Sequence, residues 1–490
     1  MSPSETASVH HERRWLILAM LGVAQLMVVL DATIVNIALP SAQRALGFSN
    51  DSRQWVVTAY ALAFGSLLLI GGRVGDLFGR KRALIIGLSG FAAMSALAGF
   101  AQSFGVLVAA RALQGAFGAL LAPSALSILT TTFTNPEERG RAFGIYGAIA
   151  GGGGAIGLLL GGILTQYLDW RATMFVNLAF AVPAALAASA LLINERSSFH
   201  ARLDLPGTLA GSTGLFALVY GFANAETHSW GAPLTIGALA ASVVLLASFV
   251  VLQARGKHPL LPLRVILDRD RGGSYLAIGV TGAGMFGVFL FLTYYLQRTL
   301  GFSPIQTGLA FLPMMGAIVT TATLVSTLIL PRTGPRPLIP TGMVLASVAM
   351  MLLTRVGVSS AYVTHVLPAL LITGVGMGLV FAPAMATATG QVAAHDAGVA
   401  SALVNTMQQI GGSVGTALLS TFSATAATSF VVAHGGPSRQ VLAAASVHGY
   451  TTAFWWSAGI FLLGAVLTSL LLRSGAQELH PAAEPALMAH

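Results

Sequence analysis

The chain contains no cysteine. That excludes disulfide frameworks, thiolate metal sites and cysteine nucleophiles. Charge is scarce as well: Lys, Arg, Asp and Glu make up 8% of the 490 residues, against about 25% in a soluble domain. Lysine is nearly missing, with Lys81 and Lys257 the only two among 25 basic residues. Such a chain cannot cover itself with a water-facing surface, so an ordinary cytosolic enzyme and a disordered protein are both excluded. What is present is apolar, 55% of all residues. The net charge of +9 is not gathered on one face, so it does not read as a nucleic-acid surface. The bases sit in short breaks between apolar runs, as on the cytoplasmic side of membrane proteins.

A spanning helix needs about 20 mostly apolar residues. Fourteen such stretches are predicted, near 15–39, 54–72, 83–102, 104–130, 142–166, 172–193, 205–223, 234–253, 273–297, 305–329, 338–354, 362–388, 397–425 and 453–472. With the N-terminus inside, 18 bases fall on inner segments, 6 on outer segments and one, Arg111, within a helix. This asymmetry predicts an even number of spans with both ends in the cytoplasm of a bacterium. The fold class is all-α integral membrane.

The sequence also repeats itself. Residues 43–49 (QRALGFS) return at 297–303 (QRTLGFS), GALLAP at 118–123 echoes GLVFAP at 378–383, and 138–157 shares spaced glycines with 396–415. All three echoes map helix n onto helix n+8. Repeated halves are characteristic of secondary transporters, whose substrate site lies between them near the midplane. The predicted plan is therefore 6+2+6: a tail at 1–14, a six-helix bundle at 15–193, a linker at 194–272 with two inserted helices and an amphipathic segment, a second bundle at 273–472 and a tail at 473–490.

Within the predicted spans the only acid is Asp31 and the only base Arg111. An intramembrane charge costs roughly 2.5–3.5 kcal/mol on insertion scales and marks a functional site by default. Both lie roughly 10–14 Å below the outer surface at 1.5 Å per residue, which lets them face one another across a cavity. Burial disfavours a charged carboxylate and a nearby guanidinium favours it. A contact that differs between two conformations would let Asp31 bind and release a proton. The alternative is a static ion pair that locks helix 1 to helix 4. Gln114 shares the helical face of Arg111, and serves either substrate or helix packing.

Four segments resemble the signatures of the fourteen-helix drug:proton antiporters of the major facilitator superfamily: LDATIVNIALP (30–40), GRVGDLFGRKR (72–82), RALQG (111–115) and GAIGLLLGG (154–162). The resemblance implies the major facilitator fold and proton-coupled efflux of amphipathic drugs or antibiotics by alternating access. It assigns proton coupling to Asp31 and Arg111. It assigns a conformational switch at the inner surface to Gly72, Asp76, Gly79 and Arg80, with Glu137 and Arg139 of the next inner loop completing the charge cluster. It makes Gly153, Gly157, Gly161 and Gly162 the antiporter-motif packing glycines. Leu158 stands where that motif carries proline, which weakens the inference of export and keeps an uptake permease or a lipid flippase as the alternative.

Helices lining the cavity would offer Asn36, Gln114, Met285, Phe286, Phe289, Tyr294, Phe381, Asn405, Gln408 and Gln409, an apolar and amide-bearing wall that re-packs around varied amphiphiles. The stretch 426–450 reads as a long outer loop, and 254–272 as a short amphipathic interfacial helix. Gly152-x-Gly154-x-x-Gly157 and Gly411-x-Ser413-x-Gly415 mimic nucleotide and nucleophile motifs, but both lie within apolar helices, where glycines serve packing. No enzyme, metal site or cofactor is expected. Protons are the coupling ion, and lipid and small amphiphiles the partners of a monomer.

Overall fold

The computed structural model describes residues 3–48, 55–193, 204–256, 259–390, 392 and 396–473, and these are helical with no strand among them. The first half comprises α1 (Pro3–Leu46), α2 (Trp55–Phe78), α3 (Arg80–Gly99), α4 (Phe104–Thr132), α5 (Pro136–Tyr167) and α6 (Ala172–Leu191). The inserted pair is α7 (Leu205–Thr227) and α8 (Pro233–Arg255), followed by the short α9 (Leu263–Leu267). The second half comprises α10 (Arg269–Tyr294), α11 (Pro304–Leu324), the one-turn α12 (Leu330–Thr333), α13 (Leu338–Leu353), α14 (Leu367–Thr389), α15 (Ala397–Ala433) and α16 (Arg439–Leu471). Among the described residues, ten segments are long and apolar enough to cross a membrane, joined by shorter apolar helices such as α13. The chain is a multi-pass membrane protein.

Packing follows the repeat. In the first half α1 lies against α5 and α6, α4 against α2 and α3, and α3 against α6. In the second half α10 lies against α15 and α16, α14 against α11 and α13, and α13 against α16. The partners correspond one for one. The halves meet where α5 touches α11 and where α2 and α4 touch α15, while α7 packs on α2 and α15 at the flank. The repeated QR-LGFS segment has a structural meaning: Gly47 (φ 68°) and Gly301 (φ 71°) both take the left-handed conformation that ends a helix.

Three five-residue π-helical turns interrupt the second half, at Tyr295–Thr299, Val325–Ile329 and Tyr362–Val366. The latter two run into Pro331 and Pro368, which donate no N–H and leave the preceding turn to widen.

One sequence expectation is overturned. Residues 426–450 are not a long loop: α15 runs on to Ala433 and α16 starts at Arg439, with Gly435 (φ 80°) and Gly436 (φ 104°) making a tight turn. Alanine-rich sequence on both sides favours helix, and Ser438 caps α16 by accepting from the N–H of Val441 at 3.2 Å. The amphipathic segment is the short α9, with Val265 buried and Leu267 exposed.

Glycines set the closest approaches. A side chain at Gly411 would meet the carbonyl oxygen of Gly279 at 1.9 Å, and one at Gly415 the backbone of Ala283 at 2.5 Å. The apparent nucleophile motif is thus the seat of α10 on α15. Gly411→Ala should cost about 1–3 kcal/mol through backbone displacement. Gly459→Ala, with nothing within 4 Å, should leave stability unchanged or slightly raised. Thermal unfolding of the purified variants in detergent checks the contrast.

Candidate functional site: a buried carboxylate cluster

Asp31 and Arg111 are 0% and 1% exposed. They do not face each other across a cavity, as depth alone had implied. Arg111 Nη1 donates directly to Asp31 Oδ2 at 2.6 Å, inside the first bundle. The other carboxylate oxygen, Oδ1, accepts from Gln114 Nε2 at 2.9 Å and from Asn177 Nδ2 at 2.7 Å. Arg111 spends further donors on Gln114 Oε1 at 2.8 Å and on the carbonyl of Val56 at 3.3 Å. Its guanidinium carbon lies 4.4 Å from the centre of the Tyr60 ring. Ser95 Oγ accepts from Asn177 at 2.9 Å and from Gln114 at 3.3 Å, and donates to the carbonyl of Met174 at 2.8 Å. Five helices, α1, α2, α3, α4 and α6, thus converge on one acid.

The logic is electrostatic. Two bare ions in a low-dielectric interior cost several kcal/mol each in lost hydration. The cost is offset only where charge meets charge and the remaining lone pairs and protons find partners. Here both carboxylate oxygens meet donors, Oδ2 the guanidinium and Oδ1 two amides. Asn177, Ser95 and Tyr60 escaped the sequence reading, which followed formal charges and left out Ser, Asn and Tyr on α2, α3 and α6.

The antiporter-motif glycines press on the same turn of α1. A Cβ at Gly153 would meet Val29 Cγ1 at 3.0 Å, at Gly157 Thr33 Oγ1 at 2.0 Å, and at Gly161 Ile34 Cγ1 at 2.8 Å. Gly162 is buried beside them. Glycines over three turns of α5 therefore let it lie flush against the turn of α1 that carries Asp31. The proline replaced by Leu158 is not needed for this contact.

At the basic end of the bundle, α2 gives way to α3 at Gly79, whose φ of 97° a side chain would strain. Gly72 is buried on α2, and Arg80 opens α3, half-buried. Lys81 Nζ donates to the carbonyls of Ser189 and Leu192, tying α3 to the end of α6. Arg14 and Glu138 pair at 2.9 Å, tying α1 to α5. Arg139 is half-buried one residue on, and burial pulls its guanidinium below the usual arginine range. The side chains of Asp76, Glu137, Asn36 and Phe286 lie outside the described residues.

Between the halves is a small cavity of about 50 Å³, lined by Gln25, Leu126, Tyr146, Gly147, Ile278, Phe381, Met385, Val404, Asn405 and Gln408. Phe381, Asn405 and Gln408 were expected there. Gln25 and Tyr146 were not, and they bond to one another at 2.7 Å. The other described candidates do not line this cavity, although Phe289 reaches across to Gly154 of α5. Gln114 serves the carboxylate cluster. Met285 is buried in the core of the second half. Phe289 packs its ring 5.3 Å from that of Phe311, and Tyr294 lies under Arg298 at 5.0 Å. Gln409 seats against Gly65 of α2, where the halves touch.

A second opening, about 650 Å³, lies between α1, α5 and the stretch from α11 into its π-turn. Its walls are apolar (Leu26, Ile145, Ile149, Ile156, Val319), with Trp15 and Arg141 among the lining residues. The same seam is shut toward the other end, where Gly308 of α11 meets Leu159 of α5.

A helical membrane protein with two matching halves, a cavity between them and one clamped acid is built as a carrier. The sequence profile described as Major Facilitator Superfamily matches residues 21–416, and the chain belongs to that superfamily. It is 51% identical over 464 residues to the puromycin resistance protein of Streptomyces alboniger, covering 94% of this chain and 92% of that one. It is 38% identical over 401 residues to the cephamycin export protein of Amycolatopsis lactamdurans, covering 81% and 82%. Among solved structures, a proton:xylose symporter of the superfamily superposes with a TM-score of 0.65 at 14% identity, covering 96% of this chain and 97% of that one. That likeness concerns the fold.

Removing one partner of a buried pair typically costs 3–5 kcal/mol, whereas removing both together costs far less. Arg111→Met should therefore destabilise the protein strongly, and the double variant Asp31→Asn/Arg111→Met should recover most of the loss. A thermal double-mutant cycle in detergent measures this.

Proposed function

We propose that this protein is a proton-coupled exporter of amphipathic small molecules, antibiotics or similar drugs, working by alternating access in a bacterial inner membrane. Fourteen spans in the 6+2+6 arrangement, with both termini cytoplasmic, are part of this reading, as are a monomeric carrier, protons as the coupling ion and no other cofactor. Export is supported by relatives named for puromycin resistance and cephamycin export. Proton coupling is supported by one observation above all: the carboxylate of Asp31, wholly removed from water, is held by donors from α4 and α6.

Coupling on this reading is indirect. Asp31 points into the first bundle, while Gln25, on the same helix, borders the cavity between the halves. Six residues at 100° per residue place the two on different faces of α1. Substrate does not displace the proton by touching the acid. Protonation cancels the attraction of Arg111 and frees α1 to shift against α4 and α6, and that shift reshapes the cavity. Asp76, Arg80, Glu137 and Arg139 belong to the switch at the basic end, and the α5 glycines keep α5 moving with α1. With one acid inside the predicted spans, one proton is exchanged per cycle. A neutral substrate then draws on about 2.3 kcal/mol per 100 mV.

The cavity wall offers amides, a phenol and apolar groups, which suits uncharged polar amphiphiles. The apolar opening beside α5 gives such molecules a path from the membrane, and this same feature favours a lipid flippase as the second reading. Direction of accumulation in inverted vesicles separates export from uptake.

In proteoliposomes with an imposed proton gradient, Asp31→Asn should abolish substrate-driven proton movement while the protein still reconstitutes. Undiminished antiport by this variant would refute the assignment. Asn405→Leu with Gln408→Leu should raise the half-saturating substrate concentration about tenfold, as expected for the loss of one or two hydrogen bonds, with the response to pH unchanged.

A further inference from the structure

Every side chain hydrogen-bonded to Asp31 donates to it. That suits the anion, and it poses a problem for the protonated acid. A carboxylic acid carries a proton of its own and needs an acceptor. Arg111 has none to give. Gln114 has one, but its Oε1 is engaged by Arg111 at 2.8 Å. Asn177 differs. Its Nδ2 spans Asp31 Oδ1 and Ser95 Oγ, at 2.7 and 2.9 Å, while its own Oδ1 is buried with no hydrogen-bond partner. An orphaned buried acceptor costs about 1–3 kcal/mol and calls for an explanation.

We infer that Asn177 is a positioning residue of the proton site, an amide that donates to Asp31 as an anion and turns over to accept from it as an acid. A half-turn about the Cβ–Cγ bond exchanges its nitrogen and oxygen. Oδ1 then faces the proton on Asp31 Oδ1, and the Ser95 hydroxyl, rotating away from the carbonyl of Met174, donates to the same oxygen. When the proton leaves, the amide turns back. No bond other than O–H is made or broken, and the proton moves only between Asp31 and water. The charged and titratable groups facing Asp31 among the described residues are Arg111 from α4 and Tyr60 from α2. From α6 it meets Asn177, with Ser95 of α3 behind the amides, while the α5 glycines lie against Val29, Leu30, Thr33 and Ile34 of α1 itself.

This inference rests on Asp31 being the coupling acid, and the test separates the two. Reconstituted protein is assayed for proton-driven transport of a fluorescent amphiphilic substrate between pH 5.5 and 8.5. Asn177→Leu keeps the shape but removes both roles. The anion loses a charge-assisted donor, so the midpoint of the pH profile should move about one unit to higher pH, with half-saturating substrate changed less than twofold. Asn177→Ser, whose hydroxyl both donates and accepts, should restore at least half of that shift. Ser95→Ala, which leaves Asp31 its direct donors and removes the hydroxyl that orients Asn177 closely and Gln114 at longer range, should move the midpoint the same way by a smaller amount, and it carries the test alone should Asn177→Leu not insert. A midpoint unmoved in Asn177→Leu, or in Ser95→Ala where that stands alone, overturns the role of Asn177. So does an equal shift in the leucine and serine variants. Retention of proton coupling by Asp31→Asn overturns the underlying reading instead.

Discussion

The dominant constraint on this molecule is the cost of keeping an ionised carboxylate out of water inside a membrane. An unsatisfied charge there is worse than any packing defect, so the first bundle is arranged around meeting it. Arg111 supplies the countercharge. Gln114 and Asn177 supply donors to the second oxygen, and Ser95 holds both amides in place. The glycines of α5 remove everything that would keep that helix from closing over the same turn of α1. Residues from six helices are explained by one acid.

The second half keeps the packing pairs of the first and discards its electrostatics. At the offset of 254 residues that superimposes the two QR-LGFS segments, Asp31 corresponds to Met285, and Met285 is buried among Phe, Leu and Met side chains. The fold therefore does not require a charge at this place, since its own repeat is built without one. A pair maintained in one half against its desolvation cost is an expense that packing alone does not explain, and this weighs against a purely static clamp between α1 and α4.

The sequence disclosed most of the helices, the repeat and the one acid and one base within spans, because each rests on a strong signal. Apolar runs of about 20 residues, charge in lipid and a glycine that ends a helix are all costly to imitate by chance. The side-chain partners were less legible. Asn177 and Ser95 look like ordinary polar residues in apolar helices, and only the crossing of α3, α4 and α6 brings them to Asp31. Met285, Phe289 and Tyr294 do not line the small cavity that Gln25 and Tyr146 border, because composition names a helix but does not give its rotational phase. Residues 426–450 misled for a different reason: hydroxyl and small side chains lower hydropathy without opposing helix.

Separation of the acid from the cavity also constrains how two ligands can influence one another. Two sites that share no contact are coupled only through an element with differential affinity for both. α1 meets that description. It bears Asp31 toward α4 and α6, Gln25 toward the cavity, and Arg14 in an ion pair with Glu138 at the basic end. α5 is fastened to α1 by its glycines and meets α11 across the seam. A change in the charge of Asp31 alters the forces on α1, and α1 cannot move far without carrying α5, the cavity wall and the seam with it. On the proposed reading the substrate site needs no charge of its own to sense the proton, and a wall of amides, a phenol and apolar groups suffices.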